Sequence, residues 1–179
     1  YYSTGDQIVS EAHRSPLRFN TEAGALREIT SFFVDNFGQF WSYDKDTNLV
    51  YRFSKEQRLE QKLAIGDVDY IKLRSDGTIY VIKDSRDVIE IRDMTGKVLK
   101  QFAQYRDVVD LAFDSLGNVY MLEDKGRNLV VLTQDHQVFQ QTPLQGITNS
   151  STRYSHLAVD QGGSIFLANS REDRIVRVF

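Results

Sequence analysis

The stretch "LAVDQGGSIFLANSREDRIVRVF", residues 157–179, contains most of what decides the fold of this chain. It begins with apolar residues at alternate positions, which is the two-residue period of a β-strand with one buried face. A polar turn containing Asp160 and Gly163 follows, and the aromatic Phe166 comes three residues after that glycine. A polar loop then leads into a second apolar run, "RIVRVF". This order indicates antiparallel strands joined by tight turns.

The same order of features occurs three more times upstream. Each copy has an apolar alternation, a turn glycine, and an aromatic residue three positions after that glycine. The copies are residues 32–53, 71–93 and 111–135, with Trp41, Tyr80 and Tyr120 at the aromatic position. The turn glycines of the four copies, which are 39, 40 and 46 residues apart, are Gly38, Gly77, Gly117 and Gly163. A period of about 40 residues is typical of propeller blades.

A fourth strand completes two of the copies. Residues 97–102, "KVLKQF", and residues 137–141, "QVFQQ", add a short strand after the second apolar run. Each complete copy therefore predicts a four-stranded antiparallel meander. Such a sheet cannot bury both of its faces by itself, so neighbouring sheets must stack around an axis. The predicted fold class is all-β, a β-propeller built from four-stranded blades of about 40 residues.

The spacing of the copies predicts a single propeller domain over residues 1–179. The predicted blades are residues 27–65, 66–105 and 106–150, with partial blades at residues 1–26 and 151–179. We expect these blades to be a segment of a six- or seven-bladed ring, because an open array leaves unpaired strand edges. The alternative is a closed four-bladed propeller, in which residues 15–19 add the outer strand to the last blade.

Residues 157–179 also resemble the NHL repeat. The shared pattern is an apolar-Asp-x-x-Gly turn, an aromatic-containing strand, an Asn- and Asp-rich loop, and Arg174-Ile175 at the start of the third strand. The other three copies match this pattern more loosely, and the resemblance covers about residues 27–179. It implies a propeller fold. NHL-like propellers serve as protein-binding, RNA-binding, ligand-sensing and occasionally enzymatic domains, so the resemblance leaves the function open.

The composition excludes several classes of site. The net charge is -3 with both signs interspersed, which argues against a dominant nucleic-acid-binding surface. The chain has no cysteine, which excludes disulfides, thiolate catalysis and zinc-thiolate centres. No segment approaches the roughly 18 apolar residues of a membrane-spanning helix. The composition is compatible with a periplasmic, an extracellular or a cytoplasmic location, and we favour the first two.

An insertion marks the first place to look for a binding site. The spacing of 46 residues between the last two turn glycines results from extra residues at 142–154. Binding residues concentrate on loops that a rigid scaffold holds, although an insertion is also tolerated as a plain surface loop. The candidate binding residues are Leu144, Gln145, Ile147, Asn149 and Arg153.

Carboxylates at one repeat position suggest an alternative site. The residues ten positions before the turn glycines are Glu28, Asp67, Asp107 and Arg153. If these positions begin the innermost strands, their three carboxylates approach the axial channel, where oxygen ligands hold Ca²⁺, as in gluconolactonase-like propellers. Asp69, Asp110 and His156 lie on the same segments. This reading predicts a metal-dependent, lactonase-type hydrolase. Against it, Arg153 breaks the set, and polar residues at strand entrances commonly just meet water.

Acidic residues also recur in the turns. Those beside the turn glycines, which we predict to accept hydrogen bonds from backbone amides, are Asp35, Asp76, Asp114 and Asp160. A second set follows the second strand of each copy and has the same predicted capping role: Asp44, Asp46, Asp84, Asp87, Glu123, Asp124, Glu172 and Asp173. The negative charge of the second set would favour a basic partner.

The sequence contains no HExxH, GxSxG, P-loop or dinucleotide-binding motif, so it assigns no catalytic residue. The main prediction is therefore a non-enzymatic propeller scaffold. We expect it to bind a protein partner or a ligand through its inter-blade loops, without a cofactor, as part of a larger chain or assembly.

Overall fold

A computed structural model describes residues 26–83, 85–145 and 153–178, and the backbone of three short strands before them. These residues form eighteen β-strands in five antiparallel sheets. The first sheet contains β1 (Tyr2–Thr4), β2 (Gln7–Ser10) and β3 (Ser15–Leu17). The second contains β4 (Ile29–Val34), β5 (Phe40–Asp44), β6 (Leu49–Phe53) and β7 (Leu59–Ala64).

The remaining three sheets repeat the second. The third contains β8 (Tyr70–Leu73), β9 (Ile79–Lys83), β10 (Val88–Arg92) and β11 (Val98–Phe102). The fourth contains β12 (Asp110–Phe113), β13 (Val119–Glu123), β14 (Asn128–Leu132) and β15 (Val138–Pro143). The fifth contains β16 (His156–Val159), β17 (Ile165–Asn169) and β18 (Arg174–Val178). In each sheet the strands follow one another in chain order, so the predicted all-β meanders are confirmed.

The N-terminal strands form a sheet of their own. The segment Ser15–Leu17, which the four-bladed alternative adds to the last blade, forms β3 and pairs with β2, with Ile8 opposite Leu17. The number of blades in the ring stays a prediction. Within the described strands, β18 is the third and outermost strand of its sheet. None of the described residues forms a helix with the length and apolar character needed to cross a membrane.

The chain divides into two compact units. The first unit comprises Tyr1–Lys83 and Glu90–Gln101, and the second comprises Asp84–Ile89 and Phe102–Phe179. In the first unit, Trp41 and Tyr43 of β5 pack with Ile71, Ile79 and Val81 in a buried cluster. The corresponding cluster of the second unit joins side chains of the fourth and fifth sheets, and its largest members are Leu122, Leu129, Leu144, Tyr154, Leu157 and Leu167. Central strands such as β5 are buried on both faces, whereas outer strands such as β15 are largely exposed.

In two of the four copies, a hydrogen bond connects the turn aspartate with the recurring aromatic residue. Asp35 Oδ1 accepts hydrogen bonds from the amides of Phe37 and Gln39, both at 2.9 Å. Its second oxygen, Oδ2, accepts a hydrogen bond of 2.9 Å from Nε1 of Trp41, which is fully buried. Asp114 repeats this arrangement, because its Oδ2 accepts a hydrogen bond of 3.2 Å from the Tyr120 hydroxyl. In these two copies the carboxylate thus closes the turn and satisfies the polar atom of the aromatic side chain.

The third sheet departs from this pattern. Asp76 accepts a backbone amide, as we predicted for all four turn aspartates, but it stands later in its turn. Arg74 occupies the position three residues before Gly77, and its carbonyl accepts the Gly77 amide. Asp76 still caps the turn, because its Oδ1 accepts a hydrogen bond from the Thr78 amide at 3.0 Å. It also forms a 2.7 Å ion pair with Arg74. In this sheet the aspartate stands two residues later in the turn than in the other three copies. The side chain beside the aromatic Tyr80 is therefore the guanidinium of Arg74 instead of a carboxylate.

The Asp76–Arg74 pair should make stability depend on pH. Burial raises the pKa of Asp76, but hydrogen bonds from Arg74 and Thr78 outweigh burial and hold the pKa at about 2. Because this lies below the usual value of roughly 3.9, the contribution is complete above about pH 4 and disappears as the pH falls towards 2. Solvent screening limits it to less than about 1 kcal/mol, since the Asp76 side chain is 52% exposed.

Urea unfolding of the parent protein and of Asp76→Asn between pH 7 and pH 2 measures this effect. We expect the variant to be less stable at pH 7 and the difference to shrink between pH 4 and pH 2. A difference that stays constant over that range would show that the carboxylate charge is irrelevant.

Candidate functional site

Inter-blade loops of the second unit surround a pocket of about 330 Å³. In an antiparallel meander, the loop before the first strand and the turn between the second and third strands lie at the same end of the sheet. Such loops and turns from neighbouring sheets therefore meet. We call this cavity the basic pocket, and the lining residues that define its chemistry are Arg86, Asp107, Lys125, Arg153, Tyr154 and Arg171.

Backbone hydrogen bonds hold the loops of the basic pocket together. The Lys125 amide donates to the Asp107 carbonyl at 3.2 Å, which joins the β13–β14 turn to the loop before β12. The Tyr154 amide donates to the Gly126 carbonyl at 3.0 Å, which joins the same turn to the loop before β16. The Val108 amide donates to the Arg86 carbonyl at 3.0 Å. The pocket therefore has a wall of cross-linked main chain rather than independent loops.

Three residues that line the basic pocket have left-handed backbone conformations. The φ angles are 72° for Arg86, 47° for Asp107 and 58° for Lys125. Such conformations cost on the order of 1 kcal/mol each in residues other than glycine, and they cluster at functional sites. Gly126, next to Lys125, has a φ of 81°. The surrounding hydrogen bonds keep these residues in place and so determine where their side chains project.

Side-chain caps orient the turn that carries Arg171. Asn169, at the end of β17, is buried, and its Oδ1 accepts a hydrogen bond of 2.9 Å from the Arg171 amide. The Ser155 hydroxyl donates to the Ala168 carbonyl at 3.2 Å and accepts from the Ser170 amide at 3.3 Å. These bonds connect the β17–β18 turn to the loop before β16.

The charges of the basic pocket are unbalanced. Four lining side chains are cationic (Arg86, Lys125, Arg153 and Arg171), and the carboxylate among the lining residues is that of Asp107. Four positive charges and one negative charge leave a formal excess of three positive charges, in a chain whose net charge is -3. Lys125 Nζ lies 3.6 Å from Asp107 Oδ2. The charged residues that line the pocket are thus mainly cationic, although acidic residues stand in the same turns: Asp87, Asp124, Glu172 and Asp173.

The structure places the predicted binding residues in different surroundings. Arg153 is exposed and lines the basic pocket. Gln145 is exposed, whereas Leu144 is 2% exposed and belongs to the core of the second unit. Leu144 therefore has its side chain turned to the interior, because the chain from β15 must close over that core. Ile147 and Asn149 lie outside the described residues.

The three predicted calcium ligands have ordinary surroundings. Glu28 and Asp67 are exposed residues of the first unit, and Asp107 pairs with Lys125 in the second. In residues 26–83, 85–145 and 153–178, no group of three acidic or histidine side chains is arranged to hold a metal ion. The calcium site stays a prediction from the sequence.

Some of the acidic residues that follow the second strands accept hydrogen bonds from backbone amides. Asp44 is fully buried, and its carboxylate accepts hydrogen bonds from the amides of Arg27, Glu28 and Asp46. Asp87 Oδ1 accepts a hydrogen bond of 2.9 Å from the Asp107 amide. Burial raises the pKa of Glu123, which is at the equivalent position in β13. Asp44 and Asp87 thus have the predicted capping role, and Asp84 lies outside the described residues.

Sequence reasoning missed Arg86, Lys125 and Arg171. They stand in the same turns as the acidic residues, in "DSRD", "DKGR" and "SRED". These three cations could have been found by grouping all turn residues that lie at the same end of the predicted sheets, instead of grouping only the acidic ones.

A smaller cavity of about 250 Å³ in the first unit lies between β4 and β8, and Lys72 is the cation among its lining residues.

Solved structures of streptogramin B and virginiamycin B lyases have a similar fold. A streptogramin B lyase gives a TM-score of 0.65 at 13% identity, covering 97% of this chain and 62% of the lyase. The selenomethionine-substituted virginiamycin B lyase from Staphylococcus aureus gives 0.62 at 9% identity, covering 92% and 58%. A catalytically inactive variant of that enzyme, crystallised with quinupristin, gives 0.65 at 9% identity, covering 94% and 60%.

The chain has a β-propeller fold. The predicted fold class is therefore confirmed. At this level of identity the likeness shows the fold and not the activity. The propeller described here spans about three fifths of the length of these lyases. Its sequence matches no protein-family profile and no curated protein.

Proposed function

We propose that this propeller is a ligand-binding segment of an NHL-like scaffold, and that the inter-blade loops of the second unit hold the ligand. The observation that carries the proposal is the basic pocket. It is concave, its walls are cross-linked by backbone hydrogen bonds, and several side chains of one charge converge on it. Rigid concave sites with a few convergent polar groups are the usual form of a small-molecule site.

The chemistry of the basic pocket favours binding over catalysis. A guanidinium carries a positive charge and offers only N–H donors, so the arginines of the pocket are suited to orienting and neutralising a negatively charged group. The carboxylate of the pocket, Asp107, already has a cationic neighbour in Lys125. The NHL resemblance of residues 157–179 supports a scaffold in which loop residues set the specificity. The propeller then acts as part of a larger chain or assembly.

A fragment screen by amide NMR tests this proposal. A library of neutral, cationic and anionic fragments, each at 1 mM, is added to the isotope-labelled chain. We expect the hits to shift the amide signals of residues 153–155 and 169–171. The matched control is Ser170→Trp, which fills the pocket mouth and should abolish those shifts. Hits that cluster elsewhere, or no hits, would count against a ligand site here.

An enzymatic propeller is the second candidate, because one pair of residues in the second unit resembles a base and its orienting carboxylate. Asp110 is buried, and its Oδ2 accepts a hydrogen bond of 2.9 Å from the Leu157 amide. The same oxygen lies 3.8 Å from Nδ1 of His156, whose side chain is 73% exposed. A carboxylate behind an exposed imidazole is the arrangement that supports a general base.

The names of the structural neighbours suggest the substrate to try first. Quinupristin is incubated with the parent propeller and with His156→Ala, and its conversion is followed by liquid chromatography. Conversion by the parent alone would support the enzymatic candidate. Absence of conversion would exclude quinupristin as a substrate. Equal conversion by the parent and by His156→Ala would exclude His156 as the base.

A further inference from the structure

We infer that the basic pocket selects a small oxyanion, a molecule carrying a carboxylate or a phosphate group. The inference rests on the proposed function and names the chemical class of its ligand. Its starting point is the convergence of Arg86, Lys125, Arg153 and Arg171 on one cavity of the second unit.

The cations are held near one another by the fold. Lys125 and Arg86 sit in left-handed turns whose amides and carbonyls are bonded to neighbouring loops. Arg171 follows the buried Asn169, which caps its amide. These side chains therefore start from fixed points on three different turns. Like charges brought together in this way repel one another, and a bound anion removes that repulsion.

Arginine is suited to this ligand class by its shape. A guanidinium presents a planar fork of N–H donors, which matches the two oxygens of a carboxylate or phosphate. Within the described residues, neither Arg153 nor Arg171 forms an ion pair with a carboxylate of the chain. Their guanidinium groups are the ones that a ligand can engage without first breaking an internal ion pair. Asp107 partly neutralises the charge of Lys125, so this side chain is less available to a ligand than the two arginines.

The size of the basic pocket favours a small molecule. A volume of about 330 Å³ is near the lower end of ligand pockets, which range from about 300 to 1,000 Å³. An extended polyanion needs a groove that follows its backbone rather than a compact cavity. The net charge of -3 also opposes the approach of a long polyanion outside this pocket.

Isothermal titration with citrate and with inorganic phosphate tests the inference, with glycerol as the neutral probe. The parent chain is compared with Arg153→Gln and Arg171→Gln. The matched control is Arg177→Gln, since Arg177 lies on the same sheet and its guanidinium donates to Ser164 in the turn at the other end of that sheet. We expect each pocket variant to weaken oxyanion binding at least tenfold and the control to change it less than twofold. Thermal unfolding of each variant is measured alongside, to check that it is folded.

The outcomes distinguish the ligand sources. Tighter binding of citrate identifies a carboxylate ligand, and tighter binding of phosphate identifies a phosphate-bearing one; both support the inference. Equal loss of affinity in Arg177→Gln, or tighter binding of a short single-stranded RNA than of either probe, overturns it. If no oxyanion binds but neutral or cationic fragments shift the pocket amides, the inference is wrong and the proposed function stands. If no fragment shifts those amides, both fail.

Discussion

Replacing Gly126 with alanine should destabilise the second unit by about 2–5 kcal/mol, the sum of about 1–3 kcal/mol for overpacking and about 1–2 kcal/mol for the left-handed backbone. A Cβ atom at this position would lie 1.9 Å from the Tyr154 carbonyl oxygen and 2.8 Å from the Tyr154 nitrogen. Both are backbone atoms, and the Tyr154 amide is bonded to the Gly126 carbonyl. The new methyl group must therefore separate the β13–β14 turn from the loop that carries Arg153.

Gly163→Ala is the matched control for this substitution. Gly163 has the same φ of 81° in the same unit, but a Cβ atom there meets no atom within 4 Å. Gly163→Ala should therefore lower the free energy of unfolding only by the cost of a left-handed backbone in a non-glycine residue, about 1–2 kcal/mol. Urea unfolding of both variants separates the conformational penalty from the steric one. Similar losses in the two variants would mean that the contact between Gly126 and Tyr154 is unimportant.

Gly126→Ala also tests the basic pocket. Since the steric clash occurs where two of its loops join, oxyanion binding should be lost even at temperatures where the variant is still folded. Gly163→Ala should retain that binding, because its turn lies at the opposite end of the fifth sheet from Asn169 and Arg171.

Asp35→Ala should cost about 2–4 kcal/mol of stability in the first unit. The substitution leaves Nε1 of the fully buried Trp41 without its acceptor, and an unsatisfied buried donor costs about 1–3 kcal/mol. The amides of Phe37 and Gln39 lose the same carboxylate, although water can reach this turn. Thermal or urea unfolding monitored by tryptophan fluorescence measures the loss, because Trp41 is the single tryptophan of the chain.

The corresponding turn of the fifth sheet provides the comparison. Asp160 Oδ1 accepts the Ser164 amide at 2.8 Å, but the aromatic residue of that copy is Phe166, which has no polar atom to satisfy. Asp160→Ala should therefore destabilise far less than Asp35→Ala. If the two substitutions have equal effects, the contribution comes from closing the turn and not from the bond to the indole.

Most of the fold could be predicted from local patterns. The alternation of apolar residues, the turn glycines and the recurring aromatic positions depend on residues within a few places of one another, so they identify strands and turns directly. The capping by Asp35 and Asp114 is likewise local, since donor and acceptor are at most six residues apart. The predicted capping role of Asp76 is also confirmed, although Asp76 stands two residues later in its turn than Asp35 and Asp114 do in theirs.

The sequence by itself thus determined that this chain forms repeated antiparallel sheets and where each turn lies. Only the tertiary structure decided which turns face one another. Arg86, Lys125 and Arg171 are far apart along the chain, and they meet because each follows the second strand of its own sheet, at the end where those turns gather. Strand periodicity is a short-range property, whereas a binding pocket is made by the stacking of sheets, which no single repeat encodes.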